Sequence, residues 1–369
     1  MKVAIVHDFL EYFGGAEKVL KSISEIFPKA DLFFLASKKK LVQKYFPEKN
    51  IKNSFLQKLP GIFSKFGKFF YLKLFPIAVE SFDFRGYDLV ISTHTFAKGV
   101  IVDEDTIHIS YLHSPTRFFW DYTHKTLDER KISGLKRLFV QSIFSDLRVW
   151  DQVSSKRPDL IIVNSNLVKE RVKKYYGRDS KVIYPPIEIE KFKPRKENSG
   201  YFLLISRLTE FKKVDVVIET FNEIGEDLLI IGDGKLRKKL ESIAKENVSF
   251  VGFVSSEDLS FYVENCRALI QISEEDFGIA PIEAFSAGKP VIAYKKGGIL
   301  ETLKEGINGV FFDEQTKESL KKGLEKFVEF EPRFDYTKIR MTAENFSDAI
   351  FRASFKKEVS LLFNWLKKT

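Results

Sequence analysis

Glu275-Asp276-Phe277-Gly278-Ile279-Ala280-Pro281-Ile282-Glu283 runs into Ala284-Phe285-Ser286-Ala287-Gly288-Lys289-Pro290 and then Val291-Ile292-Ala293. The stretch reads as loop, helix, turn and strand: a glycine opens an apolar run, a glycine and a proline close it, and β-branched residues follow at 290–294. Backbone amides at such a helix start point outward, where the positive end of the dipole favours an anion. Glu275 falls in the loop before the helix and Glu283 about two turns inside it. A site of this kind holds a phosphate on the amides and flanks it with two hydroxyl acceptors, which is how a nucleotide-sugar is gripped. A loop acid that compensates the dipole and an ordinary surface glutamate give the same spacing, so the rest of the chain has to decide.

The alternation extends in both directions. Short runs rich in Val, Ile and Phe occur at 3–6, 31–35, 89–92, 107–112, 160–163 and 182–184, then at 201–206, 228–231, 248–254, 268–272 and 291–294. They lack polar alternation, as strands covered on both faces of a parallel sheet do. Between them, 16–26, 214–224 and 236–244 carry apolar residues at helical spacing. The repeated units predict an α/β fold with two Rossmann-like doubly wound domains facing a cleft. Pro185-Pro186 and the charged stretch 187–199 read as the linker. The expected domains are 1–186 and 187–345, followed by one long helix over 346–367 with Ile350, Phe351, Phe355, Val359, Leu362, Phe363 and Leu366 along one face. A chain of 369 residues with 44% hydrophobic content suits about two domains with sizeable cores.

Composition narrows the function classes. No apolar run is long enough to span a bilayer, and the N-terminus enters a strand pattern at once rather than a signal peptide. A cytosolic chain is expected. Cys266 is the single cysteine, which leaves no internal disulfide or cysteine metal cluster, and it reads as a small buried hydrophobe. The net charge of +9 suits nucleotides, nucleic acid or an anionic membrane surface. No zinc spacing or RNA-binding signature accompanies it, so nucleic acid is not expected, and a basic nucleic-acid-binding α/β protein stands as the alternative of another class. Two insertions, 60–75 and 117–150, the second expected as one long helical segment, interleave aromatic and basic residues. That pattern suits a membrane interface or packing within the domain.

Further motifs sit at strand ends. Gly14-Gly15 follows the first strand and lets backbone approach a ligand. His113, in Tyr111-Leu112-His113-Ser114-Pro115-Thr116-Arg117, can donate to a sugar hydroxyl. Arg207 and the Lys212-Lys213 pair precede a helix, where cations counter the charge that grows on a leaving diphosphate. Gly232-Asp233-Gly234 and Gly252-Phe253-Val254 fit backbone-lined ligand edges or ordinary turns.

In this order the motifs resemble those of the retaining glycosyltransferases of family 4, which have the GT-B fold. The resemblance covers nearly the whole chain and is strongest in 201–312. His113-Ser114-Pro115-Thr116-Arg117 with Trp120-Asp121 is similar to a subgroup assigned as mannosyltransferases of surface-polysaccharide assembly. The resemblance implies that Glu275 binds hydroxyls of the donor sugar and Glu283 the nucleotide ribose. It implies that amides of Phe277, Gly278 and Ile279 hold the diphosphate with Arg207 and Lys212. Gly14, Gly15, Gly232 and Phe253 would line the nucleotide-sugar, and His113 would contact the sugar near the reacting carbon. Lys212 is chosen over Lys213 for its five-residue offset from Arg207, and Lys213 replaces the family's usual glycine. The implied reaction is transfer of a hexose, mannose from GDP-mannose, with a UDP-sugar such as UDP-glucose as the alternative. The acceptor would be a glycan or a polyprenyl-diphosphate-linked glycan, and the C-terminal helix would return to the first domain. There is no D-x-D near a strand end, since Asp103-Glu104-Asp105 lies in a loop of the other domain, and neither metal nor other cofactor is expected.

Overall fold

The computed structural model describes residues 1–64 and 66–366, leaving aside the side chains of 256, 257, 365 and 366. The chain divides into two compact units, one of Met1–Pro186 with Phe351–Thr369 and one of Ile187–Ile350. The first holds β1 (Val3–Leu10), β2 (Asp31–Ser37), β3 (Ile51–Asn53), β4 (Leu89–Thr93), β5 (Ile107–Leu112), β6 (Leu160–Val163) and β7 (Lys181–Val182). Their order is β3-β2-β1-β4-β5-β6-β7, and the pairs run parallel, with Ile5 of β1 opposite Leu32 and Ile91. Successive residues of β1 feed opposite faces: Ala4 and Val6 join one apolar cluster, Val3 and Ile5 the other.

The second unit holds β8 (Phe202–Ile205), β9 (Leu228–Ile231), β10 (Val248–Gly252), β11 (Ala268–Gln271), β12 (Val291–Tyr294) and β13 (Gly309–Phe312), in the order β10-β9-β8-β11-β12-β13. Strand order therefore reverses direction between β1 and β4 in one sheet and between β8 and β11 in the other. Each reversal opens a crevice at the carboxyl ends of the strands, where open α/β sheets bind ligands.

The helix Asp348–Leu366 belongs to the first unit from Phe351 onward. Phe351, Phe355 and Val359 are buried among Val3, Ile5, Leu89 and Ile91, and Leu362 and Phe363 lean on the same cluster. Burial of each such side chain contributes roughly 1.5–3 kcal/mol. The helix begins two residues later than the apolar pattern suggests. Phe346 ends a tight turn over Glu344–Phe346, and Ser347 is extended. Ile350 is 45% exposed, outside the buried face. Lys367 and the Leu366 side chain lie outside the described residues.

Other departures have local causes. Strands β3 and β13 carry no long apolar run: β3 is a three-residue edge strand, and β13 begins at a glycine. Of the run at 182–184, Val182 is in strand β7, which spans Lys181–Val182. The segment 117–150 forms two helices, Thr123–Glu129 and Gly134–Ser154, because Lys131 and Gly134 turn the chain at φ 53° and 57°. In the 60–75 insertion, Ile62, Leu72 and Phe75 are buried, and Phe63, Phe69 and Tyr71 lean on the same core. Phe66 and Phe70 face outward, 72% and 80% exposed. Lys68 pairs with Glu11, and Lys73 reaches Asp146 at 3.1 Å, while Lys65 is outside the described residues. No helix among the described residues is long and apolar enough to cross a membrane.

Candidate active site

In the second unit, the loop after β11 enters the helix Ile279–Ser286 through Gly278, whose φ of 93° suits glycine. Glu283 is the fifth residue of that helix and is buried at 4% exposure. It therefore sits just over one turn inside, not two, because the helix starts only at Ile279. Phe277 is buried with its ring centroid 5.6 Å from that of Phe346. The acidic loop is held from the other side by Gly297 and Gly298, after β12. The Gly298 amide donates to the Glu275 carbonyl at 2.9 Å. A Cβ on Gly298 would lie 2.4 Å from the Asp276 carbonyl oxygen, and one on Gly297 2.6 Å from that of Glu275. Sequence reasoning missed this pair; the signal was a second Gly-Gly at a strand end, like Gly14-Gly15.

Across the crevice, β8 ends at Ile205, followed by Ser206 and exposed Arg207. A tight turn over Glu210–Lys212 follows, then the helix Val214–Ile224. Lys212 Nζ pairs with Glu275 Oε1, the oxygen that also accepts from Ser273 Oγ at 2.8 Å. Lys213 is the residue between turn and helix, and its φ of 51° is left-handed. A glycine would take that conformation without penalty, whereas the lysine holds it at a cost.

Two more strand ends complete this side. Gly232 has φ 131°, and a Cβ there would lie 1.9 Å from the Ser206 carbonyl oxygen. A Cβ on Gly234 would lie 2.3 Å from that of Leu208. The loop after β9 is thus in backbone contact with the loop that carries Arg207. Gly252 packs on Arg237, and Phe253 is exposed.

The first unit gathers its own group at the β1–β4 crevice. The Gly14 amide donates to Glu17 Oε2 at 2.9 Å as the chain enters the helix Gly15–Ile26. His7 Nε2 lies 3.7 Å from Glu17 Oε1, and His7 Nδ1 is 2.7 Å from Thr93 Oγ1. Burial opposes charge on Glu17, but His7 and the Gly14 amide outweigh it and hold the carboxyl below its usual range. His113 follows β5, its ring 5.3 Å from Tyr111 and 5.9 Å from His94. Its Nε2 is buried without a hydrogen-bond partner among the described residues. Burial, with His94 and His7 beside it, pushes His113 down to about 3, so the ring is neutral. Asp8 and His94, which sequence reasoning passed over, are bonded to each other here at 2.7 Å. The signal was polar residues inside or just after an otherwise apolar strand. Asp103, Glu104 and Asp105 are exposed in a loop, and no three His, Cys, Asp or Glu of the described residues are grouped to hold a metal.

Residues 186–344, nearly the whole second unit, match the family described as "Glycosyl transferases group 1". The second unit is thus similar in sequence to the group 1 glycosyltransferases. Glycosyltransferase MJ1178 of Methanocaldococcus jannaschii is 23% identical over 337 residues, 89% of this chain and 88% of its own. "Alpha-1,3/1,6-mannosyltransferase ALG2" of Saccharomyces cerevisiae is 28% identical over 269 residues, 57% of this chain and 53% of its own, so the chain spans about half of that relative. The crystal structure of Anabaena Alr3699/HepE in complex with UDP-glucose superposes with a TM-score of 0.72 at 19% identity, covering 98% of this chain and 100% of that one. The fold is thus of the GT-B class, and the family 4 resemblance is consistent with it.

Proposed function

We propose that this chain is a glycosyltransferase that moves a hexose, mannose from GDP-mannose, onto a glycan or lipid-linked glycan with retention of anomeric configuration. The observation that carries the reading is the Lys212–Glu275 pair at the β8–β11 crevice, inside the segment that matches the family. A carboxylate there suits sugar hydroxyls. Arg207 and Lys212 suit the departing diphosphate, along with the amides of Phe277, Gly278 and Ile279. In this reading Glu283 would bind the ribose and His113 would contact the sugar. With two cations supplying charge, the proposed step needs no metal: the acceptor hydroxyl attacks from the face the diphosphate leaves. Mannose rests on the name of the yeast relative. UDP-glucose is the second reading, on the ligand of the Anabaena structure.

A thermal-shift panel of GDP-, UDP- and ADP-sugars tests the donor, since a ligand that binds only the native state raises its melting temperature. Product analysis in excess EDTA then tests the reaction. A new glycosidic bond with the donor's anomeric configuration is expected. An epimerised sugar-nucleotide, a sugar phosphate, an inverted product or a strict metal requirement overturns the corresponding part. A salt-sensitive shift with oligonucleotides and none with nucleotide-sugars would favour the nucleic-acid class. We further propose peripheral contact with an anionic membrane through exposed Phe66 and Phe70.

A further inference from the structure

The crevice between β1 and β4 holds a pair of side chains that the reaction above does not use. Asp8 lies near the end of β1 and is buried at 3% exposure. His94 is the first residue after β4, so the two stand on the strands that flank the reversal of the first sheet. Asp8 Oδ2 meets His94 Nδ1 at 2.7 Å and the Phe96 amide at 3.0 Å, and Oδ1 accepts from the Ala97 amide at 2.7 Å. A carboxylate that accepts two amides is held ionised, so Nδ1 must carry the hydrogen it donates. That fixes the tautomer and leaves Nε2 as the acceptor. The hydrogen bond that the His94 side chain makes among the described residues runs through Nδ1, and the side chain is 40% exposed. His94 also sits at φ 84°, a left-handed backbone that a histidine adopts only when its surroundings hold it there.

We propose that Asp8 and His94 form the acceptor-binding pair of the first unit: Asp8 orients the imidazole, and His94 Nε2 accepts a hydrogen bond from a sugar hydroxyl of the acceptor. This rests on the glycosyltransferase reading. The placement parallels that of Lys212 and Glu275, which bridge the corresponding reversal of the second sheet. The groups that face His94 are Asp8 and His7 on β1, Glu17 on the helix that follows, Lys68, and His113. Burial opposes protonation of His94, but the Asp8 carboxylate outweighs it and holds the ring above its usual range. The hydroxyl-accepting neutral form is therefore lost on the acid side.

The test uses the full chain with GDP-mannose, water or octyl α-mannoside serving as acceptor. In His94→Gln, KM for octyl mannoside should rise at least about tenfold, while GDP release to water and GDP affinity stay within about twofold of wild type. In Asp8→Asn the ring loses its anionic partner, its pKa falls, and the acid limb of kcat/KM for octyl mannoside should move to lower pH. A merely structural role would not shift that limb. Wild-type KM in His94→Gln, or loss of GDP affinity instead, overturns this assignment alone. If His94→Gln does not fold, an unmoved acid limb in Asp8→Asn overturns it. A wild type that transfers from neither GDP-mannose nor UDP-glucose removes the donor reading and this one together.

Discussion

Lys212 and Glu275, 63 residues apart in the chain, meet as an ion pair at the β8–β11 crevice, with Ser273 Oγ on the same carboxylate oxygen. The pair holds the two sides of the proposed donor site at one spacing before a donor arrives. Glu275→Ala should abolish transfer yet bind the free nucleoside diphosphate. Lys212→Ala should slow transfer on the order of a hundredfold, the scale for losing one preorganised contact to developing charge. Steady-state kinetics beside nucleotide titration separates the two effects. Wild-type turnover in Glu275→Ala removes the sugar-binding role, and a damaging Lys213→Ala with a silent Lys212→Ala reassigns the cation.

The left-handed Lys213 makes a prediction about stability instead. Lys213→Gly relieves a conformation that costs a side-chain-bearing residue about 1–2 kcal/mol, offset in part by the extra entropy of an unfolded glycine. Its melting temperature should match or exceed that of wild type. Lys213→Ile should melt lower, since a β-branched side chain tolerates that backbone least. The reverse order of the two variants would show that the turn is not held as described.

Gly298→Ala should cost nucleotide-sugar binding before it costs the fold. The added methyl would press on the Asp276 carbonyl and displace the loop that bears Glu275. Gly86→Ala is the control, because a Cβ at Gly86 meets nothing within 4 Å although its φ is 74°. Calorimetric titration with the donor and circular dichroism measure the two effects. Equal donor affinity in Gly298→Ala and wild type would free the loop from this glycine.

The fold was legible because buried parallel strands announce themselves as unbroken apolar runs, as at Ile107–Leu112, where every residue is buried. Strand β3 was not, because three residues on a half-exposed edge carry no such run. Within the candidate site, residues on one loop and helix, such as Glu275 and Gly278, could be placed from spacing alone. The Lys212–Glu275 meeting follows from the strand order β8-β11, which periodicity does not encode. Asp8 and His94 stayed hidden for the same reason: they are 86 residues apart, and only the pairing of β1 with β4 brings them together.

Acid should weaken the first unit through His108. That ring is fully buried, hydrogen-bonded to Ser92 Oγ at 2.9 Å, and burial pushes it down to about 3. The unfolded chain takes up a proton below about 6.5 that the folded chain refuses, so stability is complete above that pH and falls below it. The loss between pH 7 and pH 5 is about 2 kcal/mol for this group. Trp120 and Trp150 belong to the first unit and residues 187–350 contain no tryptophan, so tryptophan fluorescence follows urea unfolding of the first unit. His108→Gln should shrink the acid loss by that amount, and an unchanged loss would mean that the folded ring does take the proton.

Membrane contact should depend on the two outward phenylalanines rather than on Lys68 and Lys73, which are engaged with Glu11 and Asp146. Wild type should co-sediment with anionic vesicles at low salt and detach at high salt. Phe66→Ser with Phe70→Ser should abolish binding. Equal binding by this variant, or none by wild type, returns the segment to packing alone.

The return of Phe351–Val359 to the first unit has a consequence for how the protein comes into being. Residues 187–350 form one uninterrupted compact unit, whereas the first unit lacks part of its core until Phe351 and Phe355 arrive. A ribosome releases the chain in sequence, and domains fold as units once complete. The sheet begun second is therefore the one finished first, while the sheet begun first waits with an apolar face open. A chain cut after Pro186 should need a chaperone or a supplied helix to stay in solution, and a chain spanning 187–350 should not.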